Sequence, residues 1–190
     1  MNIRLLLLLV LGLATTTLLA DSPARPIPYV ATSAEGGSRF YFRMSPDLRD
    51  PSNETKASGV AYEIQPNGKD KVLWRTSGWY SFNVFLSWNA EYLAALGPWN
   101  EGREPKKEDV AITFFRNGKL LKQYSTVDLV RDLSKVRVTA SHYDWLAWHI
   151  LPVGLDAVPR VMIDTFYLKT CDGIVYEFDM TTGAIISASK

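Results

Sequence analysis

Cysteine is nearly missing from this chain. Cys171 is the only one in 190 residues, so no disulfide can form within the molecule and stability must come from a packed core. Histidine is almost as scarce: His142 and His149 are the only two, which excludes a histidine-rich metal cage. Excess charge of either sign is absent too. With 21 Lys and Arg against 20 Asp and Glu, the net charge is +1, without the basic footprint of a nucleic-acid binder. There is no G-x-S-x-G elbow, no phosphate-cradling glycine loop and no EF-hand spacing, and the carboxylates are scattered without a readable catalytic pair. No run after residue 20 is long and apolar enough to span a membrane. No cofactor is implied.

What is present begins at the N-terminus. Met1–Arg4 is short and positive, residues 5–20 are apolar without a charge, and the polar Asp21-Ser22 follows. That run is too short for a span and suits a secretory signal. The sequence therefore predicts a signal peptide over residues 1–20, cut after Ala20 or alternatively after Ala24, and a secreted or periplasmic protein. Residues 21–37, which include Pro23, Pro26 and Pro28, read as an extended N-terminal segment. Residues 38–190 read as a single β-rich domain.

The clearest local pattern is residues 109–125, DVAITFFRNGKLLKQYS. Two runs of β-branched and aromatic residues flank Asn117-Gly118, a pair suited to the positive φ of a type I′ turn. That turn predicts Arg116 opposite Lys119, Phe115 opposite Leu120, Phe114 opposite Leu121 and Thr113 opposite Lys122. One face would be apolar and the other mixed, as in a half-buried hairpin. Similar runs flank Asn67-Gly68 and Asp172-Gly173. The three glycines are spaced 50 and 55 residues apart, near the period of propeller blades, roughly 40–50 residues.

Between the hairpins, residues 38–44 alternate as a strand and residues 45–58 read as an exposed loop. Residues 83–87 and 92–96 read as a strand pair, and 98–107 as a charged loop. Ser125 with Asp128 resembles a capping pair for a short helix over 125–135. Residues 136–140 suit a strand. Residues 141–150, SHYDWLAWHI, suit a helical turn plugging one end of a sheet, followed by a loop over 151–159. The fold class is mostly β: antiparallel hairpins in a propeller-like partial or sandwich-like sheet arrangement, with one or two short helices.

Near the C-terminus a family resemblance appears. DGIVYEFDMTTGAII, residues 172–186, resembles the inner part of a β-propeller blade of the quinoprotein type, where an aromatic-x-aromatic-Asp strand end precedes a Thr-Gly turn. The matching positions are Tyr176, Phe178, Asp179, Thr182 and Gly183. Asp and Thr side chains would bond the turn backbone while Gly supplies positive φ. SWNAEYLA, residues 87–94, is a weaker echo, with Asn89-Ala90 where Asp-Gly is expected. The resemblance implies blade-like antiparallel sheet and carries no cofactor. The chain as a whole also looks like exported bacterial proteins.

Two constellations are candidates for function. The first is an aromatic and polar surface: Trp99, in the loop between Pro98 and Asn100, with Asn100, His142, Tyr143 and Trp145. Amphipathic rings there suit a protein or glycan ligand. The second, for a small hydrolase, possibly metal-assisted, is His142, Asp144 and His149, with the histidines two turns apart on one helical face. The sequence favours a non-enzymatic binding or structural module. Pairing through open sheet edges with a partner or second copy, as a subunit of a larger envelope assembly, is the third reading.

Overall fold

A computed structural model describes residues 24–33, 39–98, 100–149 and 157–190. The expected signal peptide, Trp99 and the loop residues 150–156 lie outside the described residues. The fold is mostly β, with antiparallel sheets and one short α-helix. Three of the sheets are four-stranded meanders taken in chain order. Sheet 1 holds β1 Tyr29–Thr32, β2 Phe40–Ser45, β3 Ser58–Glu63 and β4 Lys71–Ser77. Sheet 2 holds β5 Val84–Leu86, β6 Tyr92–Leu96, β7 Val110–Arg116 and β8 Lys119–Ser125. The two-stranded pair is β9 Arg137–Val138 with β10 Tyr143–Asp144. Sheet 3 holds β11 Arg160–Met162, β12 Thr165–Lys169, β13 Val175–Asp179 and β14 Ala184–Ser189.

Sheet 2 is the middle layer, and its sequence explains why. Every residue of β6 is buried, as are Ala111 to Phe115 in β7. Alternation sends Leu93 and Ala95 into a core shared with Phe42, Met44, Ala61 and Trp74 of sheet 1. Ala94, Leu96, Ile112 and Phe114 enter a second core with Phe166, Leu168, Tyr176 and Phe178 of sheet 3. A strand sandwiched in this way needs apolar side chains at both odd and even positions.

The central hairpin has the expected I′ turn, with Asn117 at φ 49° and Gly118 at φ 76°. Arg116 pairs with Lys119 and Phe115 with Leu120, but a bulge then shifts the register, so Phe114 meets Lys122 and Thr113 meets Gln123. The expected pairings with Leu121 and Lys122 are thus corrected by one residue. The expectation of one buried and one mixed face is corrected as well: β7 is buried on both faces, and β8 is the exposed outer strand. The bulged position relieves Leu121 of a place in the core, leaving it 36% exposed.

The other two glycine turns differ from the first. Gly68 closes a longer loop over residues 64–70, its N–H donating to the Gln65 carbonyl. Gly173 joins the second and third strands of sheet 3, whereas Gly68 and Gly118 join the third and fourth of theirs. The position in sheet 3 matching Gly118 is Gly183, between β13 and β14. There Asp179 Oδ1 accepts from the N–H and hydroxyl of Thr181, and Oδ2 from the Thr182 hydroxyl, while Gly183 sits at φ 69°.

After β8, α1 (Thr126–Leu129) has the expected capping box between Ser125 and Asp128, followed by a 3-10 turn at Leu133–Lys135. Residues 141–150 depart from the expected helical turn. Tyr143–Asp144 is a strand and Ala147–His149 a separate 3-10 turn. His142 and His149 therefore do not share one helical face.

Candidate functional site

The meanders segregate their connections. β1 and β5 run parallel where Ser33 bridges Leu86, so sheets 1 and 2 present corresponding turns at the same ends. One end carries the short turns, including 117–118 and 163–164. The other carries the three longest connections, residues 46–57, 97–109 and 126–159. Three adjoining clefts open at these long connections, and the first runs along β7 and β8 as far as Gly118 and Leu120 at the turn end.

The first cleft, 510 Å³, lies between sheets 1 and 2. Its apolar wall is Phe115, Leu96, Val110 and Leu120, with Trp79, and its polar groups include Glu54, Thr76, Thr113 and Gln123. The Gln123 amide donates to Thr113 Oγ1 at 3.0 Å, and Trp79 Nε1 donates to Thr76 Oγ1 at 3.0 Å. Trp79 stacks on Phe115 at 4.7 Å and lies parallel to Phe42 at 6.2 Å. Burial holds the Glu54 carboxyl above its ordinary range.

A second cleft of 230 Å³ is lined by Asn83, Asn100, His142, Tyr143, Asp144 and Trp145, together with Leu96 to Pro98 of the first. The third, 420 Å³, shares Glu54 with the first and Ala24 and Phe82 with the second. The shared residues set the three clefts side by side as a jointed groove.

Four sequence-predicted residues thus meet at one place, and the backbone explains how. Gly102 N–H donates to the Ser141 carbonyl and Tyr143 N–H to the Asn100 carbonyl, laying the 100–102 segment beside 141–143. Asn100, His142, Tyr143 and Trp145 are nonetheless each under 9% exposed. They form the floor of the cleft more than an open surface. The Tyr143 hydroxyl donates to Asp109 Oδ2 at 2.7 Å, and burial drives its ionisation far above the ordinary tyrosine range. The fifth predicted residue, Trp99, lies outside the described residues.

Of the hydrolase candidates, His142 and Asp144 lie together, and the side chain of His149 is outside those described. His142 Nδ1 lies 2.6 Å from Thr139 Oγ1, and Nε2 lies 3.5 Å from Asp144 Oδ1. Both ring nitrogens thus face residues of their own turn. Among the described residues no group of three His, Cys, Asp or Glu side chains is placed to hold a metal ion. Cys171 is half-buried, and burial, with Asp172 beside it, pushes its thiol up to about 11. A thiol in that state is a poor nucleophile at neutral pH.

Sequence reasoning missed Glu54, Phe82, Phe115 and Gln123. Each looks like an ordinary loop, core or edge-strand residue, and only the packing of sheet 1 on sheet 2 brings them together. It also missed how the chain's own N-terminal segment is seated. The Tyr80 hydroxyl accepts from Ile27 N–H at 3.2 Å and donates to the Ile27 carbonyl at 2.9 Å, while Tyr29 Oη donates to the Ser81 carbonyl. Ala24 to Pro26 line the groove beside them.

No protein-family model matches the chain, and no curated protein sequence matches it.

Proposed function

We propose that the protein is an exported, non-enzymatic binding module whose three four-stranded sheets are propeller-type blades and whose loop-end groove takes an extended peptide. The observation that carries this reading is the adjoining of three clefts among the longest connections, where loops of a rigid β scaffold ordinarily carry recognition. A long, jointed groove suits an extended chain better than a compact metabolite. Peptide is favoured over glycan because residues 24–26 of the chain itself line the groove and both backbone groups of the adjoining Ile27 are held by Tyr80, so the site already engages peptide backbone. The repetition of the meander three times, with the first strands of sheets 1 and 2 side by side, supports the blade reading.

The test is capture from arrays of envelope peptides and of cell-wall glycans, with turnover of each captured molecule followed in parallel. Peptide capture without turnover, insensitive to chelator, is the expected result. Glycan capture alone would replace the ligand class. Turnover abolished by His142→Gln would replace the binding module with the hydrolase centred on His142 and Asp144.

A further inference from the structure

Two junctions between successive sheets are built alike. Gly118, in the turn between the third and fourth strands of sheet 2, sits so close to the fourth strand of sheet 1 that a Cβ there would strike the Arg75 carbonyl oxygen. Gly183, in the same turn of sheet 3, sits against the third and fourth strands of sheet 2, where a Cβ would come within 2.7 Å of the Lys122 Cβ and 3.4 Å of the Phe114 Cβ. Tyr124 fastens that junction by donating its hydroxyl to the Gly183 carbonyl at 2.8 Å. The same turn of sheet 1 carries Gly68 at φ 73°, and a Cβ on Gly68 meets nothing within 4 Å. At the opposite end of the array β14, the fourth strand of sheet 3, exposes Ile185 and Ile186. One end therefore has the turn without its strand, and the other has the strand without its turn.

The free sheet faces are also of interface type. Register places Tyr41 opposite Tyr62 on the side of sheet 1 away from Phe42 and Ala61. The two rings stack at 4.9 Å with Arg43 over Tyr62. On the outer side of sheet 3, Arg160 lies 5.0 Å over Tyr167. Tyrosine and arginine are the residues enriched where proteins meet. Three blades fall short of the four or more at which propellers close, whereas six lie within the range.

We propose that a second copy of this chain closes the array head to tail, seating the Gly68 turn of each copy against β14 of the other. The result is a six-sheet ring with a two-fold axis at its centre and two identical junctions. The inference rests on the blade reading above and not on the identity of the ligand, since the groove lies within one chain.

The test is sedimentation of the full mature chain together with a cysteine pair, Lys69→Cys with Ser187→Cys, on either side of the postulated junction. The pair is made in a Cys171→Ser background, so that the native thiol takes no part in the cross-link. A species of twice the chain mass, an interchain disulfide in the double variant, and loss of the two-chain species in Gly68→Ala and Ile186→Glu with unchanged circular dichroism are expected. Peptide capture should persist in both single variants. A single-chain mass, a dimer that does not cross-link, or an open-ended polymer would each overturn closure. Failure of the blade reading itself shows separately, as equal stability losses in Gly68→Ala and Gly118→Ala within the single-chain species.

Discussion

At the scale of single residues, two positions carry more than their sequence reveals. Ile163 adopts φ 56° in the two-residue turn between Met162 and Thr165, with its side chain 60% exposed. A β-branched residue there is strained by roughly 1–2 kcal/mol, and no contact in the core offsets it. Ile163→Gly should stabilise the protein by about 1 kcal/mol, read from urea melts; a loss of stability would mean that the isoleucine is engaged in a contact of its own. Nothing in the residue type announces this turn. Asn-Gly at 117–118 was legible because its chemistry matches its geometry, and Ile163-Asp164 was not because its chemistry opposes it.

Asp172 is the second. Its Oδ2 accepts the backbone N–H groups of Arg131 and Asp132, and Oδ1 accepts the Thr170 hydroxyl. Burial would raise its pKa, but these hydrogen bonds outweigh it and hold the carboxyl below the ordinary range. A depressed folded pKa gives stability that is present above the unfolded value, about 3.9, and lost as pH falls through the folded one. Asp172→Asn should therefore be less stable than wild type at neutral pH, with the gap closing below about pH 4 in melts taken across that range. A gap that persists at low pH would assign the loss to packing instead of charge.

At the scale of elements, strands were legible wherever β-branched and aromatic runs ended in a turn whose residues have a mechanism. The central hairpin, the 83–87 and 92–96 strands and the Ser125–Asp128 cap all follow this rule. Register was not legible, because the bulge opposite Phe114 and Phe115 answers to β7 being packed on both sides, which no local pattern encodes. The repeat was half legible. Glycine turns were visible, but Gly173 stood in for Gly183 because Asp-Gly is the stronger hairpin signal. The true correspondence predicts a graded response. Gly68, Gly118 and Gly183 share nearly the same positive φ, so alanine costs each about 1 kcal/mol of backbone strain. At Gly118 and Gly183 the Cβ also collides with the neighbouring sheet, raising the loss to roughly 3 kcal/mol by analogy with overpacked cores. Thermal melts of the three variants, compared within one oligomeric state, check the order.

At the scale of the whole molecule, one end is built of tight turns and the other of long connections around the groove. The sequence pointed to Asn100, His142, Tyr143 and Trp145 through their density of aromatic and polar groups, and the fold brings these four together. It could not point to Glu54 or Gln123, since those reach the groove only through the stacking of sheet 1 on sheet 2. The exposed Trp88 sits in the β5–β6 turn at the opposite end, 49% accessible. By the rule that exposed aromatics bind, it would be the better candidate; by the placement of the clefts it is not. Because burial raises the Glu54 pKa, Glu54→Gln should stabilise the protein modestly at neutral pH, where the charge is unfavourable, and not at acid pH. Melts at the two pH values check the sign.

The central claim is that recognition belongs to the loop end. It is tested most directly by the dissociation constant of a captured peptide for wild type, Gln123→Ala and Trp88→Ala at matched folding. The account predicts weakening of about tenfold or more for Gln123→Ala, equivalent to roughly 1.4 kcal/mol, and no change for Trp88→Ala. Loss of binding in Trp88→Ala with Gln123→Ala unaffected would place recognition at the turn end and contradict it.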